Sequence, residues 1–325
     1  MALVVVLAAG GCASSRQAAT PAAVPYTGLP ISLHPASGPH GFDASLTGNP
    51  LSYINARRAE VGLPPIASDA AVAAAARAHA QYLRLNGARG HDEIAGTQGF
   101  TGVDVTTRVR VHTPVYGASE VLAVFGGFEQ PSSAIAEIFA APYHRGAVFF
   151  DWARAGEAVD VQKEGITVVD FADIAPVLKD AELIAYPYDG QADAPSSWVD
   201  IEQPDPMGAN SGYGGAEVGY PITLSGGPNA HIVLTSLSLT DAAGKRVACR
   251  IAPVGIADTG RNTAVCTPLQ PLARGMRYGV HAVGVLTQAS PVKAPFDLQW
   301  TFSTANSGGG AMGQMLTRNG LPRTP

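Results

Sequence analysis

The chain has 325 residues, of which 46% are apolar and only 14% are charged, and its formal net charge is −5. This length is enough for about two domains, each with a sizeable core. A mildly acidic chain without a cluster of Lys and Arg lacks the positive surface that binds nucleic acid, so nucleic acid is excluded as the main partner.

The first residues predict export. Residues 1–12 form an apolar run that ends in small residues at Cys12, and it is too short to span a bilayer, which takes about 20 residues. The run resembles a bacterial lipoprotein signal, which implies a lipidated Cys12 and a membrane anchor; an ordinary secretory signal is the alternative. Residues 13–46 are rich in Ala, Ser, Pro, Gly and Thr and predict a flexible tether.

The first half of the remaining chain predicts alternating helices and strands. A helix over residues 50–62 ends at Gly62, and a long alanine-rich helix begins at Ser68 or Asp69, with His79 on its buried stripe as a core histidine rather than a ligand. The later elements are a strand-like segment at 105–112, an apolar segment at 121–125, a short helix that ends at Pro142 and a strand at 165–171. Without a regular strand–helix–strand rhythm, this order predicts an α+β fold with helices on a mostly antiparallel sheet.

The second half predicts only strands. Residues 186–219, rich in Pro, Asp, Ser and Gly, predict a linker, so the first domain is expected at 47–185 and the second at 220–305, before a disordered tail at 306–325. The predicted strands of the second domain are 220–224, 232–239, 247–251, 278–286 and 298–302, separated by turn residues, which is typical of a β-sandwich.

Two cysteines in this second domain also bear on export. Cys249 and Cys266 are close in sequence, so an extracytoplasmic chain is expected to pair them, and closing their short loop adds about 3 kcal/mol in the chain-entropy model. Two buried free thiols are the alternative.

Candidate site residues come from three separate stretches. His91 and Glu93 lie in a polar turn, Glu120 precedes an apolar segment, and His144 follows the helix that stops at Pro142. Two imidazoles and several carboxylates would form a polar site if these stretches converge, but their spacing along the chain does not establish that they do.

Five landmarks in order make the convergence credible. They are Ile54-Asn55-Ala-Arg57-Arg58 before Gly62-Leu63-Pro64-Pro65, the helix that begins at Asp69, Gly90-His91-Asp92-Glu93, Ser119-Glu120-Val121, and Pro142-Tyr143-His144-Arg145. Together they resemble the CAP domain, also called the SCP domain, of cysteine-rich secretory proteins and plant pathogenesis-related proteins. The resemblance covers residues 50 to 172, and Val121 stands where the family usually has Asn.

The resemblance implies a CAP-type α-β-α sandwich with a surface cleft that holds His91, Glu93, Glu120 and His144. Glu137 is the candidate for the family's fourth cavity residue, a glutamate that mainly eukaryotic members carry. In the second half, residues 297–304 resemble the last strand of bacterial Ig-like domains, which implies an all-β Ig-like sandwich after the CAP domain.

The chemistry of the cleft leaves two interpretations open. Imidazole and carboxylate are both suitable zinc ligands, so His91 and His144 are the candidate metal ligands, with water completing an open site. The other interpretation is a metal-free polar cluster that stabilises the cleft. No catalytic residue is assigned, because the sequence lacks the zinc-protease, serine-hydrolase and phosphate-loop motifs.

We therefore expect an extracytoplasmic CAP-domain lipoprotein of the bacterial cell envelope, or a secreted form, that binds a small apolar ligand or an envelope component. A zinc-dependent hydrolase of peptide or cell-wall substrates is the alternative function, and a purely structural envelope protein is a third.

Overall fold

A computed structural model describes residues 28, 30–38, 48–126, 134–160, 162, 164–256, 259–289 and 293–306. The predicted signal with Cys12, most of the predicted tether and residues 307–325 of the predicted tail lie outside this part of the chain. Within it, no helix is long and apolar enough to cross a membrane.

The first helices begin and end where capping residues predict. After the short strand β1 (Ser32–Leu33), helix α1 (Pro50–Glu60) starts behind Asn49, whose side chain accepts a hydrogen bond from the Ser52 amide at 2.9 Å. Strand β2 (Ala67–Ser68) leads to α2 (Ala70–Asn86), which is capped by Asp69 and ends at the left-handed Gly87, φ +58°. Both predicted helices are confirmed.

The predicted strand at 105–112 is wrong, because this segment is helix α3 (Val105–His112). Asp104 caps it by accepting a hydrogen bond from the Thr107 amide at 2.7 Å. Its branched residues favour strands, but that preference is weak, and here packing decides: Arg108 and Val109 are completely buried against the sheet and helix α2. The Asp104 cap is a local signal of the helix, and it outweighs the β-branched composition of the segment.

The part of the chain that contains the helices, here called the helical half, has three layers. Its sheet contains β2, β3 (Ala118–Gly126), β4 (Trp152–Asp160) and β5 (Glu164–Ile174) in the order β2-β4-β5-β3, and β5 pairs antiparallel with both neighbours. Val168 and Ala172 of β5 pack towards α2 and α3, whereas Val169 and Phe171 pack towards α1 and α4 (Ala134–Ala140). Helices therefore cover both faces of the sheet, and α5 (Pro142–Val148) follows α4 directly.

The rest of the chain is β-structure. The strands are β6 (Glu182–Tyr186), β7 (Ser197–Val199), β8 (Glu217–Gly219), β9 (Ile222–Ser225), β10 (His231–Asp241), β11 (Arg246–Val247), β12 (Cys249–Ile251), β13 (Thr263–Pro268), β14 (Arg277–Thr287) and β15 (Lys293–Ser303). A five-stranded sheet has the order β1-β6-β9-β13-β12, and a four-stranded sheet the order β11-β10-β14-β15. Leu183 and Leu224 of the first sheet share one core with Val280 and Trp300 of the second, so the two sheets form a sandwich. Its Ig-like character stays a prediction.

The predicted cysteine pair is confirmed. Cys249 of β12 and Cys266 of β13 form a disulfide, with their Cα atoms 5.8 Å apart. The bond joins neighbouring antiparallel strands at one edge of the five-stranded sheet.

The two halves are joined by buried contacts. Strand β6, which contains the predicted boundary at 185/186, pairs with β9 of the sandwich, and β1, in the predicted tether, pairs with β6. Trp198 and Val218, in the predicted linker, share a core with α1 and α4. The segment predicted to be a linker therefore packs on the helical half.

Arg145 is the centre of this junction. It is fully buried, and its guanidinium donates to the carbonyl oxygen of Pro221 at 2.8 Å and to that of Ala140 at 2.8 Å. The same group lies 4.6 Å from the ring centre of Tyr220 and 4.9 Å from that of Tyr186. A residue of the helix that carries His144 thus binds the first residues of the second domain.

Two glycines allow close approach of backbone. A side chain on Gly156 of β4 would overlap the backbone of Val72 and Ala73 in α2, and one on Gly146 of α5 would overlap the hydroxyl of Thr263 in β13. The first glycine brings α2 onto the sheet, and the second brings α5 onto the sandwich.

Candidate functional site

The two predicted histidines meet. His91 lies in the loop between α2 and α3, His144 lies in the first turn of α5, and their ring centres are 6.2 Å apart. Although 53 positions separate them in the sequence, both rings line the same cavity. The convergence that the resemblance implied is therefore present in the structure.

A buried carboxylate holds the His91 ring. His91 Nδ1 donates to Glu120 Oε1 at 2.8 Å, and Arg108 donates to the other carboxylate oxygen of Glu120 at 2.9 Å. Burial alone would raise the pKa of Glu120, but the hydrogen bond from His91 and the positive charges of His79 and Arg108 outweigh it and lower the pKa to about 2. Glu120 is therefore ionised, and the His91 ring turns its Nε2 atom away from it.

A second acid lies directly across the sheet from Glu120. Asp170 of β5 pairs with Glu120 of β3 and is completely buried. Burial raises the pKa of Asp170 well above its usual value, and the charge of Glu120 raises it further. Asp170 therefore keeps its proton, so the two facing acids carry one negative charge between them rather than two.

Glu93 lies behind the histidines rather than beside them. Its carboxylate is completely buried, bonds His79 Nδ1 at 2.9 Å and accepts from the Thr101 amide at 2.6 Å. Nε2 of His79 lies 3.2 Å from the carbonyl oxygen of Gly90, which confirms His79 as a core histidine with both nitrogens satisfied. Glu93 thus fixes the loop that carries His91 and does not line the cavity.

Glu202 is the site residue that the sequence did not reveal. It lies in the predicted linker, and its carboxylate accepts from His144 Nδ1 at 2.6 Å, from the His144 amide at 2.8 Å and from the Tyr143 amide at 3.1 Å. The residue before α5, Ala141, offers no side-chain cap, so Glu202 supplies it from the other half of the chain. No local pattern could have identified this residue, since it acts 58 positions away.

The two histidines therefore have the same arrangement. Each donates from Nδ1 to a buried carboxylate, Glu120 for His91 and Glu202 for His144, and within the described residues neither Nε2 atom has a hydrogen-bond partner. Because each carboxylate holds a proton on Nδ1, each Nε2 atom is left for a bound polar group: it accepts a hydrogen bond in the neutral ring and donates one in the imidazolium.

Two cavities meet at these rings. The first, here called the histidine cavity, has a volume of about 240 Å³ and extends from the rings past Ser119 and Trp152 to Thr263 of the sandwich. The second, the apolar cavity, has about 460 Å³ and is walled mainly by Leu122, Ala123, Val124, Phe125, Ile138, Ala141 and Ile201. Glu137 lies at the wall of the apolar cavity, not beside the histidines.

The histidine pair offers fewer protein ligands than a catalytic zinc ion needs. The two free Nε2 atoms give two protein ligands, whereas a catalytic zinc site normally has three. Glu120 and Glu202 are already bonded to the Nδ1 atoms, and no group of three or more His, Cys, Asp or Glu side chains in the described part of the chain has a geometry that could hold a metal. The donor set does not fit a catalytic zinc, and zinc at His91 and His144 stays a prediction.

Two solved structures resemble part of the chain at low identity. One is an outer surface protein from Borrelia burgdorferi, at 20% identity over 42% of this chain and 98% of that one, with a TM-score of 0.34. The other is an extracellular protein containing a SCP domain from Bacillus anthracis str. Ames, at 19% identity over 38% of this chain and 39% of that one, with a TM-score of 0.31. A search of curated proteins finds no match.

The domain assignment rests on the family comparison. The model of the family described as "CAP: Cysteine-rich secretory protein family" matches residues 51–148, a span that contains His91, Glu120 and His144. Residues 51–148 of this chain are a CAP domain.

Proposed function

We propose that the chain is an extracytoplasmic binding protein for a small amphiphilic molecule. The apolar part of the ligand lies in the apolar cavity, and its polar group bonds the Nε2 atoms of His91 and His144. The predicted lipidation of Cys12 would hold the protein at the membrane of the cell envelope.

One observation carries this proposal: an apolar cavity of about 460 Å³ ends at two oriented imidazoles. Ligand sites of this kind are mostly apolar, with a few polar groups that fix the orientation of the ligand. Because buried carboxylates fix both rings before a ligand arrives, little ordering is left to oppose binding.

A zinc-dependent hydrolase is supported less well. The site offers two imidazole nitrogens, and the carboxylates that could act as bases are occupied in orienting them. Binding uses the arrangement as it stands, whereas zinc hydrolysis would need a further ligand and a free base.

The experiment is a calorimetric titration of octanoate and of octanol into the chain carrying Cys12→Ser. Ile201→Asp places a charge on the wall of the apolar cavity at a residue that is 42% exposed, so the fold should tolerate it. Ile174→Asp is the matched control, because Ile174 is 53% exposed and lines none of the cavities described here.

We expect saturable binding, weakened about tenfold or more by Ile201→Asp through loss of apolar contact and burial of a charge, and unchanged by Ile174→Asp. A preference for octanoate over octanol would show an anionic head group, and the reverse a hydroxyl. The proposal is wrong if neither molecule binds saturably, or if the two Asp variants bind alike.

Anchoring is tested separately. Cys12→Ala in the producing bacterium should release the protein from the membrane fraction, since a lipid chain supplies the attachment. Retention of the variant in the membrane would contradict lipidation at Cys12.

A further inference from the structure

A third cavity continues the first two across the domain junction. It has a volume of about 510 Å³ and is lined by residues of β10, β12 and β13 and by described residues of the connection between β12 and β13, so it is here called the sandwich cavity. It shares Tyr143, Thr259, Gly260 and Thr263 with the histidine cavity, which in turn shares His91, His144, Glu202 and Gln203 with the apolar cavity. The three are thus consecutive sections of one groove from the CAP domain onto the sandwich.

The sandwich cavity has its own chemistry. Its apolar walls include Ile232, Leu234, Ile251, Val254 and Val265. Among the lining residues that the structure describes, the charged or titratable ones apart from Tyr143 are His231 and Arg261, and none is Asp or Glu. An apolar group that carries a negative charge is complementary to these walls.

The junction between the histidine and sandwich cavities contains two polar atoms that lack partners. Tyr143 Oη and Thr263 Oγ1 are both buried, and neither has a hydrogen-bond partner among the described residues. Buried hydroxyls without partners are costly and rare, so each calls for an explanation. A polar group of a ligand that passes between the cavities would satisfy both.

We propose that the sandwich cavity is a second subsite and that the groove binds an acylated amino acid or the acylated end of a peptide. The acyl chain lies in the apolar cavity, the amide bonds the junction hydroxyls, and the apolar side chain and carboxylate lie near Arg261 and His231. This inference rests on the proposed function, because the acyl chain occupies the site already described. It makes the sandwich part of the binding site rather than a spacer.

The test compares three probes in calorimetric titrations of the chain carrying Cys12→Ser: N-lauroyl-leucine, its methyl ester, and octanoate. The free acid should bind about tenfold or more tightly than the ester, because only the acid offers a charge to Arg261. Arg261→Ala should remove this difference and leave octanoate affinity unchanged.

Substitutions within the groove separate the subsites. Leu234→Trp fills the sandwich cavity with a larger side chain. Val233→Trp is the matched control, because Val233 is the neighbouring residue of the same strand, is 37% exposed, and has its side chain on the opposite face of the sheet. Leu234→Trp should weaken N-lauroyl-leucine about tenfold or more, while Val233→Trp should not. Thr263→Val removes the junction hydroxyl at similar volume and should weaken N-lauroyl-leucine.

The outcomes distinguish the two proposals. Octanoate binding without any effect of Leu234→Trp or Arg261→Ala on N-lauroyl-leucine would overturn the second subsite and leave the proposed function intact. If none of the probes binds to the chain without substitutions in the groove, both the second subsite and the proposed function are wrong. Tighter binding of the free acid, lost in Leu234→Trp and retained in Val233→Trp, supports the inference.

Discussion

Glu202 is the residue whose replacement tests the site geometry most sharply. In Glu202→Gln, a side chain of nearly the same shape loses its charge and one of its two acceptor oxygens. If the remaining oxygen stays towards His144, the new amide group faces the Tyr143 amide, and two donors then oppose each other in a buried place. If the amide turns over, the His144 donors lose their acceptor instead.

The magnitude follows from these contacts. A hydrogen bond to a charged group contributes about 1.5–3 kcal/mol, and a buried donor left without a partner costs about 1–3 kcal/mol. We therefore expect Glu202→Gln to lower the free energy of unfolding by about 3 kcal/mol. The octanoate affinity should also fall, because the His144 ring is no longer held by its Nδ1 atom.

The assay is urea unfolding at neutral pH, followed by circular dichroism and tryptophan fluorescence. Glu217→Gln is the matched control, since Glu217 is exposed and accepts a hydrogen bond from Ser197 Oγ at 2.7 Å; a change within about 0.5 kcal/mol is expected there. If Glu202→Gln unfolds within about 0.5 kcal/mol of the wild type, the carboxylate does not hold α5 and the account of the site is wrong.

Three further predictions concern the junction and the sandwich. Gly146→Ala should destabilise the chain by about 1–3 kcal/mol in urea unfolding through overlap with Thr263; an unchanged midpoint would contradict this packing. Burial, then the charges of neighbouring acids, raise the pKa of Asp200 from 3.8 to about 7, so the folded state keeps a proton that the unfolded state releases, and stability should fall between about pH 4 and 7 by up to about 4 kcal/mol. Asp200→Asn should flatten this pH profile and be the more stable protein at pH 8; parallel profiles would refute the argument. Reducing the bond between Cys249 and Cys266 should lower the unfolding free energy by about 3 kcal/mol, measured with and without reductant, and identical curves would contradict it.

Local signals in the sequence predicted local structure well. Asp69 caps α2 as expected, and Gly62 and Gly87 follow the ends of their helices, while the cap that Asn49 supplies to α1 was not predicted. The prediction of a strand at 105–112 was wrong because the valines and threonines of this segment favour strands. The local cap by Asp104 was overlooked, and the packing that also favours the helix involves distant residues. Arg108, for example, reaches the carbonyl oxygen of His91 at 2.7 Å, and composition cannot predict such a contact.

The site was only partly predictable, because it too depends on contacts between residues that are distant in the sequence. The family resemblance was sufficient to bring His91, Glu120 and His144 together, but it placed Glu93 in the cleft, whereas the loop turns this side chain towards His79. Glu202 could not be predicted, because its segment has a loop-like composition and its role exists only once the two halves pack together. No periodicity or motif in the sequence identifies a residue that completes a site across a domain junction.

The most direct test of the central claim removes the two Nε2 atoms and little else. In His91→Asn/His144→Asn, each Asn amide nitrogen takes the place of Nδ1 and can still donate to Glu120 or Glu202, while nothing replaces Nε2. His112→Ala, at an exposed histidine of α3, is the control. Octanoate, or octanol if that probe binds the wild type more tightly, should bind the double variant about tenfold or more weakly and the control like wild type. Equal affinity in the folded double variant would show that the histidines do not hold the polar group of the ligand, and would contradict the account.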